Sequence, residues 1–180
     1  MIRFGRLESR AERLLWKTIE LGTLVDLRAG DPDADAPAGG AGWADKRAVR
    51  SELIVELATT ERRPNGRPPR VLRCCGGRIS GELNLEAMTL RCPLVFEDCY
   101  FERGITLNEA RVPSIRLTGS SVPWIRARQV DVVGDVALAG VTGGTLDLEG
   151  ARVGGGVSMQ GATFGVGDDA YVIDGAILEP

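Results

Sequence analysis

Residues 94–112 read LVFEDCYFERGITLNEARV, and the order of apolar side chains in this stretch decides the fold. Leu94 and Phe96 are followed five residues later by Phe101, and the next eleven residues repeat the pattern. Inward side chains recur every second residue in a flat strand and every 3.6 residues in a helix, so neither element gives an advance of two and then five. A coil with four short sides does give it.

The same pattern occurs ten times between residues 72 and 178, and successive copies begin 10 to 14 residues apart. Two copies make one turn of about 20 to 22 residues, so ten copies predict a solenoid of about five stacked turns. The paired positions are Leu72/Cys74, Leu83/Leu85, Leu94/Phe96, Ile105/Leu107, Ile115/Leu117, Ile125/Ala127, Val136/Leu138, Leu146/Leu148, Val157/Met159 and Tyr171/Ile173. The later positions are Ile79, Leu90, Phe101, Val112, Val122, Val132, Gly143, Val153, Phe164 and Leu178, and glycine is the one residue among them that is not apolar in side chain.

Small residues stand two positions before most of the later apolar residues, as the tight corners of a narrow coil require. They are Gly77, Cys99, Ala110, Ser120, Ala151, Ala162 and Ala176. Small-x-apolar triplets at five-residue spacing resemble the pentapeptide-repeat proteins, and the resemblance covers 107 of the 180 residues. It implies a mainly β fold, a right-handed quadrilateral β-helix of about five coils.

The residues before the repeat predict a small α-helical cap. Residues 9–21 have the periodicity of an amphipathic helix, with Ser9 and Glu12 as a capping box and Gly22 as the stop. A short strand is predicted over 23–28. From residue 29 to residue 42 the chain is almost entirely Ala, Gly, Asp and Pro, which predicts a flexible loop that few contacts hold.

A second helix is predicted from Asp45, a favourable N-cap residue, to about Ala58. Three prolines and one glycine between residues 61 and 69 then prevent regular hydrogen bonding and mark a boundary. We therefore expect two parts, a cap region at 1–64 and a β-helix solenoid at 71–180.

A second, narrower resemblance lies at the junction of the two parts. Residues 43–53 (WADKRAVRSEL) and 77–85 (GRISGELNL) are similar to a group of actinobacterial β-helix proteins. Members of this group often carry the label membrane-associated oxidoreductase. The resemblance therefore implies a β-helix, together with a redox activity for which these residues provide no chemistry.

The composition disfavours several classes of function. The solenoid holds 9 Lys and Arg against 14 Asp and Glu, a net charge of −5, and has no basic stripe for direct nucleic-acid binding. The chain contains no histidine, the commonest general base and metal ligand. The three glycines at 154–156 lack the spacing of a dinucleotide-binding loop. We expect no enzyme activity, no cofactor and no metal site.

The four cysteines, at positions 74, 75, 92 and 99, form no C-x-x-C motif. We expect reduced, buried thiols, because free cysteine behaves as a small apolar residue. The alternative is a redox pair of Cys92 and Cys99 on adjacent coils, which would support the oxidoreductase label.

Seven residues are candidates for an interaction surface: Trp43, Arg47, Arg50, Glu52, Trp124, Asp168 and Asp169. The first four are expected either to cover the strand edges of the first coil or to bind a partner, and the two roles are compatible. For the covering role, Trp43 would pin the loop and the arginines would meet acidic groups of the coil. By alternation the Trp124 side chain faces outward. The two aspartates lie in the longest step of the repeat, where extra residues bulge outward.

The favoured function is a non-enzymatic protein–protein interaction or assembly scaffold whose partner is unidentified. No cap sequence is visible after Leu178, so the C-terminal coil is expected to pair with a second copy, giving a homo-oligomer, or with further sequence. The pentapeptide-repeat resemblance implies one alternative, an acidic DNA mimic that modulates a topoisomerase. The group label implies another, an oxidoreductase. No apolar run is long enough for a membrane span, and we expect a cytoplasmic location or one peripheral to a membrane.

Overall fold

The computed structural model describes residues 7–61, 67–165, 171–172 and 177–178. The described helices are α1 (Arg10–Thr18) and α2 (Ser51–Thr59), with two 3₁₀ helices at Pro37–Gly42 and Asp45–Arg47. The strands are β1 (Val25–Asp26), β2 (Ala48–Arg50), β3 (Leu72–Cys75), β4 (Arg78–Ser80), β5 (Leu83–Asn84), β6 (Leu94–Glu97), β7 (Tyr100–Phe101), β8 (Ile105–Thr106), β9 (Arg111–Val112), β10 (Ile115–Arg116), β11 (Ser121–Arg126), β12 (Asp131–Val132), β13 (Val136–Ala137), β14 (Thr142–Asp147), β15 (Arg152–Val153), β16 (Val157–Ser158), β17 (Tyr171–Val172) and β18 (Ile177–Leu178).

The strands stack as parallel pairs at four positions of each turn and so form four walls. Wall A contains β1, β3, β6, β10, β13 and β16, and wall D contains β9, β12, β15 and β18. Wall B contains β2, β4, β7 and the first halves of β11 and β14, whose second halves lie in wall C with β5, β8 and β17. On wall A, Leu72 pairs with Leu94, which pairs with Ile115, so each turn advances by 22 and then 21 residues. The predicted β-solenoid with a small helical part is confirmed, with between four and five turns.

The inside of the coils is filled by the residues that the repeat placed there. From Leu72 to Val153, every paired position and every later apolar position is buried, with at most 5% of its surface exposed. Phe96 and Phe101 meet edge to face, with ring centroids 5.4 Å apart and ring planes at 78°. Such interdigitated burial is the main source of stability in a solenoid, because each coil packs only on its neighbours.

Two columns of backbone-strained residues form tight corners between the walls. One column, between walls A and B, is Gly76, Asp98, Gly119, Gly140 and Gly161, and the other, between walls C and D, is Ala87, Glu109, Gln129 and Gly150. All nine have a positive φ, which is the mark of the third residue of a type II turn. At one such corner the Ser120 amide donates to the Leu117 carbonyl oxygen over 3.0 Å. A small residue of the repeat comes directly after six of these nine corners, and Met88, Val130 and Val141 follow the other three.

Ser120 gives one of these small inward positions a polar role. Its hydroxyl is fully buried, accepts a hydrogen bond from the Cys99 amide at 3.1 Å and donates to the Phe96 carbonyl oxygen at 3.4 Å. The serine of one coil therefore closes the corner of the coil before it.

The N-terminal region continues two walls of the solenoid beyond the first coil. Strand β1 adds to wall A with Val25 opposite Cys74, and β2 adds to wall B with Val49 opposite Ile79. The predicted helix from Asp45 is therefore wrong at its start, since residues 48–50 are a strand and α2 begins at Ser51. The exposed backbone edge of wall B accounts for the difference, because pairing with it satisfies amide and carbonyl groups that a helix would leave open.

The two helices complete the cap over the same hydrophobic core. Leu15 of α1 and Ile54 of α2 are buried in one cluster with the inward residues of the first coil. As predicted, the Ser9 hydroxyl caps α1 by accepting from the Glu12 amide at 3.0 Å, and Gly22 follows the helix with a positive φ. In a standard capping box the Glu12 carboxylate would accept a hydrogen bond from the Ser9 amide. Here it accepts one from the amide of the preceding residue, Glu8.

Replacing Phe101 by alanine tests the core. Because Phe101 is fully buried, we expect Phe101→Ala to lower the free energy of unfolding by about 3–5 kcal/mol, measured by chemical denaturation. Val133→Ala, at an exposed position of the same solenoid, should change it by less than about 0.5 kcal/mol. Equal effects of the two substitutions would contradict the assignment of Phe101 to the packed interior.

Candidate interaction surfaces

The loop at residues 29–42 is anchored by one buried carboxylate. Asp35 accepts hydrogen bonds from the amides of Ala29 and Gly30, each at 2.8 Å, and of Asp31 at 3.2 Å. It also forms an ion pair with Arg47, whose side chain is as deeply buried as its own. The hydrogen bond from Ala29, helped by Arg47, outweighs burial and lowers the pKa of Asp35 to about 2. This part of the cap therefore needs the ionised carboxylate.

Trp43 pins the same loop, as expected from the sequence. Its indole Nε1 donates to the carbonyl oxygen of Ala34 at 2.9 Å, and the Arg47 guanidinium lies over its ring at 4.7 Å. Further along, Gly40 lies so close to wall B that a Cβ at this position would be 2.1 Å from the Cβ of Tyr100. The expectation that few contacts hold the loop is therefore wrong. The buried Asp35 carboxylate, the Trp43 indole and the close approach of Gly40 to Tyr100 hold it in place.

Arg50 joins the first helix to the strand that caps wall B. Its Nε and Nη2 donate to the two carboxylate oxygens of Glu12 at 2.7 and 3.0 Å, and its Nη1 lies 3.2 Å from a Glu8 carboxylate oxygen. Glu12 is buried, which raises its pKa, but the hydrogen bonds from Arg50 outweigh this and hold the pKa below its usual value. Glu52 lies exposed in the first turn of α2. The arginines thus meet acidic groups of the cap itself, and the prediction that these groups belong to the coil is wrong.

Substitution of Asp35 tests the loop anchor. The carboxylate has a lower pKa in the folded chain than its ordinary value of 3.8, so its contribution to stability is complete above about pH 4 and is lost as the pH falls towards 2. We expect Asp35→Asn to lower the thermal midpoint at pH 7 and to flatten its decline below pH 4. Asp33→Asn, at an exposed position of the same loop, should leave both unchanged. If the thermal midpoint of Asp35→Asn declined below pH 4 as steeply as that of the unaltered chain, the role of the ionised Asp35 carboxylate would be contradicted.

Trp124 faces outward on wall C, where alternation placed it. Its ring lies over Gly104, at which a Cβ would be 2.3 Å from the ring atoms, and the Arg126 guanidinium lies 5.4 Å from the ring centroid. The residue is half-buried, and its Nε1 is buried without an acceptor among the residues that the structure describes. A half-buried aromatic side chain on an outer wall is a common anchor for a protein partner.

A polar trough runs along the corner between walls C and D. It has a volume of about 460 Å³ and is lined by Glu86, Asn108, Glu109, Arg128, Gln129, Glu149 and Gly150. Arg128 crosses between coils to pair with Asp147 at 3.1 Å and with Glu149. The Asn108 side chain accepts a hydrogen bond from the Arg128 amide at 3.1 Å, which ties the coils together. Sequence reasoning missed this trough, since its lining comes from four turns at positions that the apolar repeat does not mark.

Asp168 and Asp169, the last two candidates, lie outside the described residues.

All four cysteines are free and buried. The Cys99 sulfur lies 3.5 Å from the carbonyl oxygen of Cys74, and burial raises its pKa well above the usual value. Burial also raises the pKa of Cys75 to about 12 and that of Cys92 to about 11. Because the thiolate is the reactive form, these environments favour structural thiols over the Cys92–Cys99 redox pair.

Within the described part of the chain, no helix is long and apolar enough to cross a membrane. Over the same residues no cluster of three or more carboxylates and thiols is arranged to hold a metal ion.

The stacked parallel coils, closed at one end by β1, β2 and the two helices, define the chain as a capped β-solenoid. Comparison with protein-family models, with curated proteins and with solved structures found no match.

Thiol accessibility tests the structural assignment of the cysteines. We expect the native chain to react slowly with a thiol-specific reagent at pH 8, because burial both shields the sulfurs and disfavours the thiolates. Denaturation should then release four fast-reacting thiols per chain. Rapid reaction of one or two thiols before unfolding would contradict the assignment and return weight to a redox role.

Proposed function

We propose that this chain is a non-catalytic protein-interaction scaffold that assembles with a second copy through its last coil. The support is a change in burial along the stack. In the fourth turn Val136 and Leu138 are at most 4% exposed, whereas Val157 and Met159 at the same positions one turn later are only half-buried. Strand β16 is also the last strand of wall A among the described residues. A second copy stacked there would bury the apolar side chains and pair the strand edge.

We further propose that the chain is a relative of the pentapeptide-repeat solenoids. The support is the four-walled coil of 20 to 22 residues, in which a small residue follows six of the nine corners with a positive φ. A DNA mimic is less well supported, because arginines alternate with carboxylates across the coils. Arg111 pairs with Asp131 on wall D, and Arg116 with Glu97 on wall A, so the acidic groups of these two walls are partly neutralised where the structure describes them.

The solution mass of the purified chain, measured by light scattering during size-exclusion chromatography, tests the assembly. We expect a dimer or larger species for the full chain and a monomer for the double variant Val157→Glu with Met159→Glu, which places charges at the two half-buried apolar positions of the last coil. Trp124→Ala is the matched control, because it removes an aromatic group from wall C and leaves the last coil intact. It should keep the mass of the full chain.

Circular dichroism of the double variant shows whether the coils stay folded. A full chain that is monomeric at all concentrations would refute assembly through the last coil. Loss of the larger species in Trp124→Ala alone would place the interface on wall C.

A further inference from the structure

A small cationic cavity lies within the cap, away from the last coil and from wall C. Its walls are the start of α1, the chain just after β1 and the 3₁₀ helix Asp45–Arg47. Four cationic side chains, Arg10, Arg28, Lys46 and Arg47, line it against a single carboxylate, Asp26. The volume is about 160 Å³. This is below the range of sites for drug-sized ligands and corresponds to roughly five water molecules.

Arg47 supplies an unused donor to this part of the cap. Its side chain is only 6% exposed, one nitrogen is committed to Asp35, and the guanidinium is fixed over the Trp43 ring. The other terminal nitrogen, Nη1, is buried and has no hydrogen-bond partner among the described residues. A buried charged donor without an acceptor is costly, so bringing an acceptor within reach of this nitrogen would stabilise the cap.

Two further cations at the cavity are available for a ligand. Arg10 and Lys46 are exposed and make no ion pair with any residue that the structure describes. Arg28 is already paired with Asp26 at 2.8 Å and with Asp98 at 3.3 Å. The four cations and the three carboxylates Asp26, Asp35 and Asp98 together carry a net charge of +1. The hydrogen-bond donors left for a ligand belong to Arg10, Lys46 and Arg47.

We propose that this cavity binds a phosphate group, either as free phosphate or as a phosphate monoester. A phosphate offers several oxygens that accept charge-assisted hydrogen bonds, and arginine and lysine are the side chains that usually bind it. In the proposed complex the Arg47 guanidinium, which lines the cavity, donates to one phosphate oxygen, and Arg10 and Lys46 donate to the others. The site is independent of the proposed assembly through the last coil.

The test is a titration of the full chain with inorganic phosphate at pH 7, at constant ionic strength maintained with chloride, followed by nitrogen-15 NMR. The chain has three tryptophans, so its indole N–H signals can be assigned by single substitutions. We expect the Trp43 signal to shift with saturation, because Arg47 lies over that ring, and the Trp124 signal to stay in place.

A matched pair of double variants locates the binding. Arg10→Gln with Lys46→Gln should weaken binding by about tenfold or more, since each removes a charged donor. Arg13→Gln with Lys17→Gln removes the same charge from exposed positions of α1 that do not line the cavity, and should have little effect. Because all four residues are exposed, neither variant should disturb the fold.

Two additional ligands distinguish the sources of the phosphate. Glycerol phosphate represents a soluble monoester, and phosphatidic acid in phosphatidylcholine vesicles represents a lipid headgroup. A Trp43 shift with either, reduced by the cavity variant alone, supports a phosphate site. The proposal is overturned if neither these ligands nor inorganic phosphate shifts the Trp43 signal, or if the control variant weakens binding as much as the cavity variant.

Discussion

Each coil of this protein obtains its backbone hydrogen bonds from the coils before and after it. The Leu117 amide donates to the carbonyl oxygen of Ala137 and the Ala127 amide to that of Asp147, both at 2.8 Å, so along the walls the partner is about one turn away. A single coil would leave these groups without partners, and this requirement fixes the length of the turn. It also creates a problem at the first coil, which β1 and β2 solve on walls A and B. At the boundary of wall D the Ala58 carbonyl of α2 accepts from the Arg91 amide at 2.7 Å.

The charges of the cap serve this closure more than they serve recognition. Arg47 with Asp35 holds the loop, and Arg50 with Glu12 holds α1, and each pair includes a buried carboxylate. Removing only one partner of such a buried pair strongly destabilises the fold, because it leaves a buried charge unpaired. Few substitutions are therefore tolerated at these positions of the cap. On the solenoid walls, by contrast, the ion pairs are mostly exposed and contribute little to stability. Side chains on those walls can therefore vary with little effect on stability.

The sequence predicted the interior of the solenoid well, because every inward position meets a similar environment and therefore repeats the same kind of residue. It failed where a neighbour decides the structure. Residues 48–50 are too few to show alternation, and only the edge of wall B makes them a strand. Asp35 looked like one of three loop aspartates, since composition does not reveal that its carboxylate is enclosed by amides. Alternation placed Trp124 outside. The position of its ring, which buries the indole Nε1, depends on the lack of a side chain at Gly104, twenty residues earlier.

The cap at the N-terminal end also has a consequence during synthesis on the ribosome. The cap segment emerges before the coils and can form the hydrophobic platform of α1 and α2, and β1 and β2 then offer open strand edges on two walls. Each later coil can add to the preceding one as soon as about 21 further residues have been made, since repeat arrays fold by propagation between neighbours. In this direction of growth, each new strand pairs with a strand that has already been synthesised. A cap at the opposite end would leave every new coil waiting for the last residues of the chain.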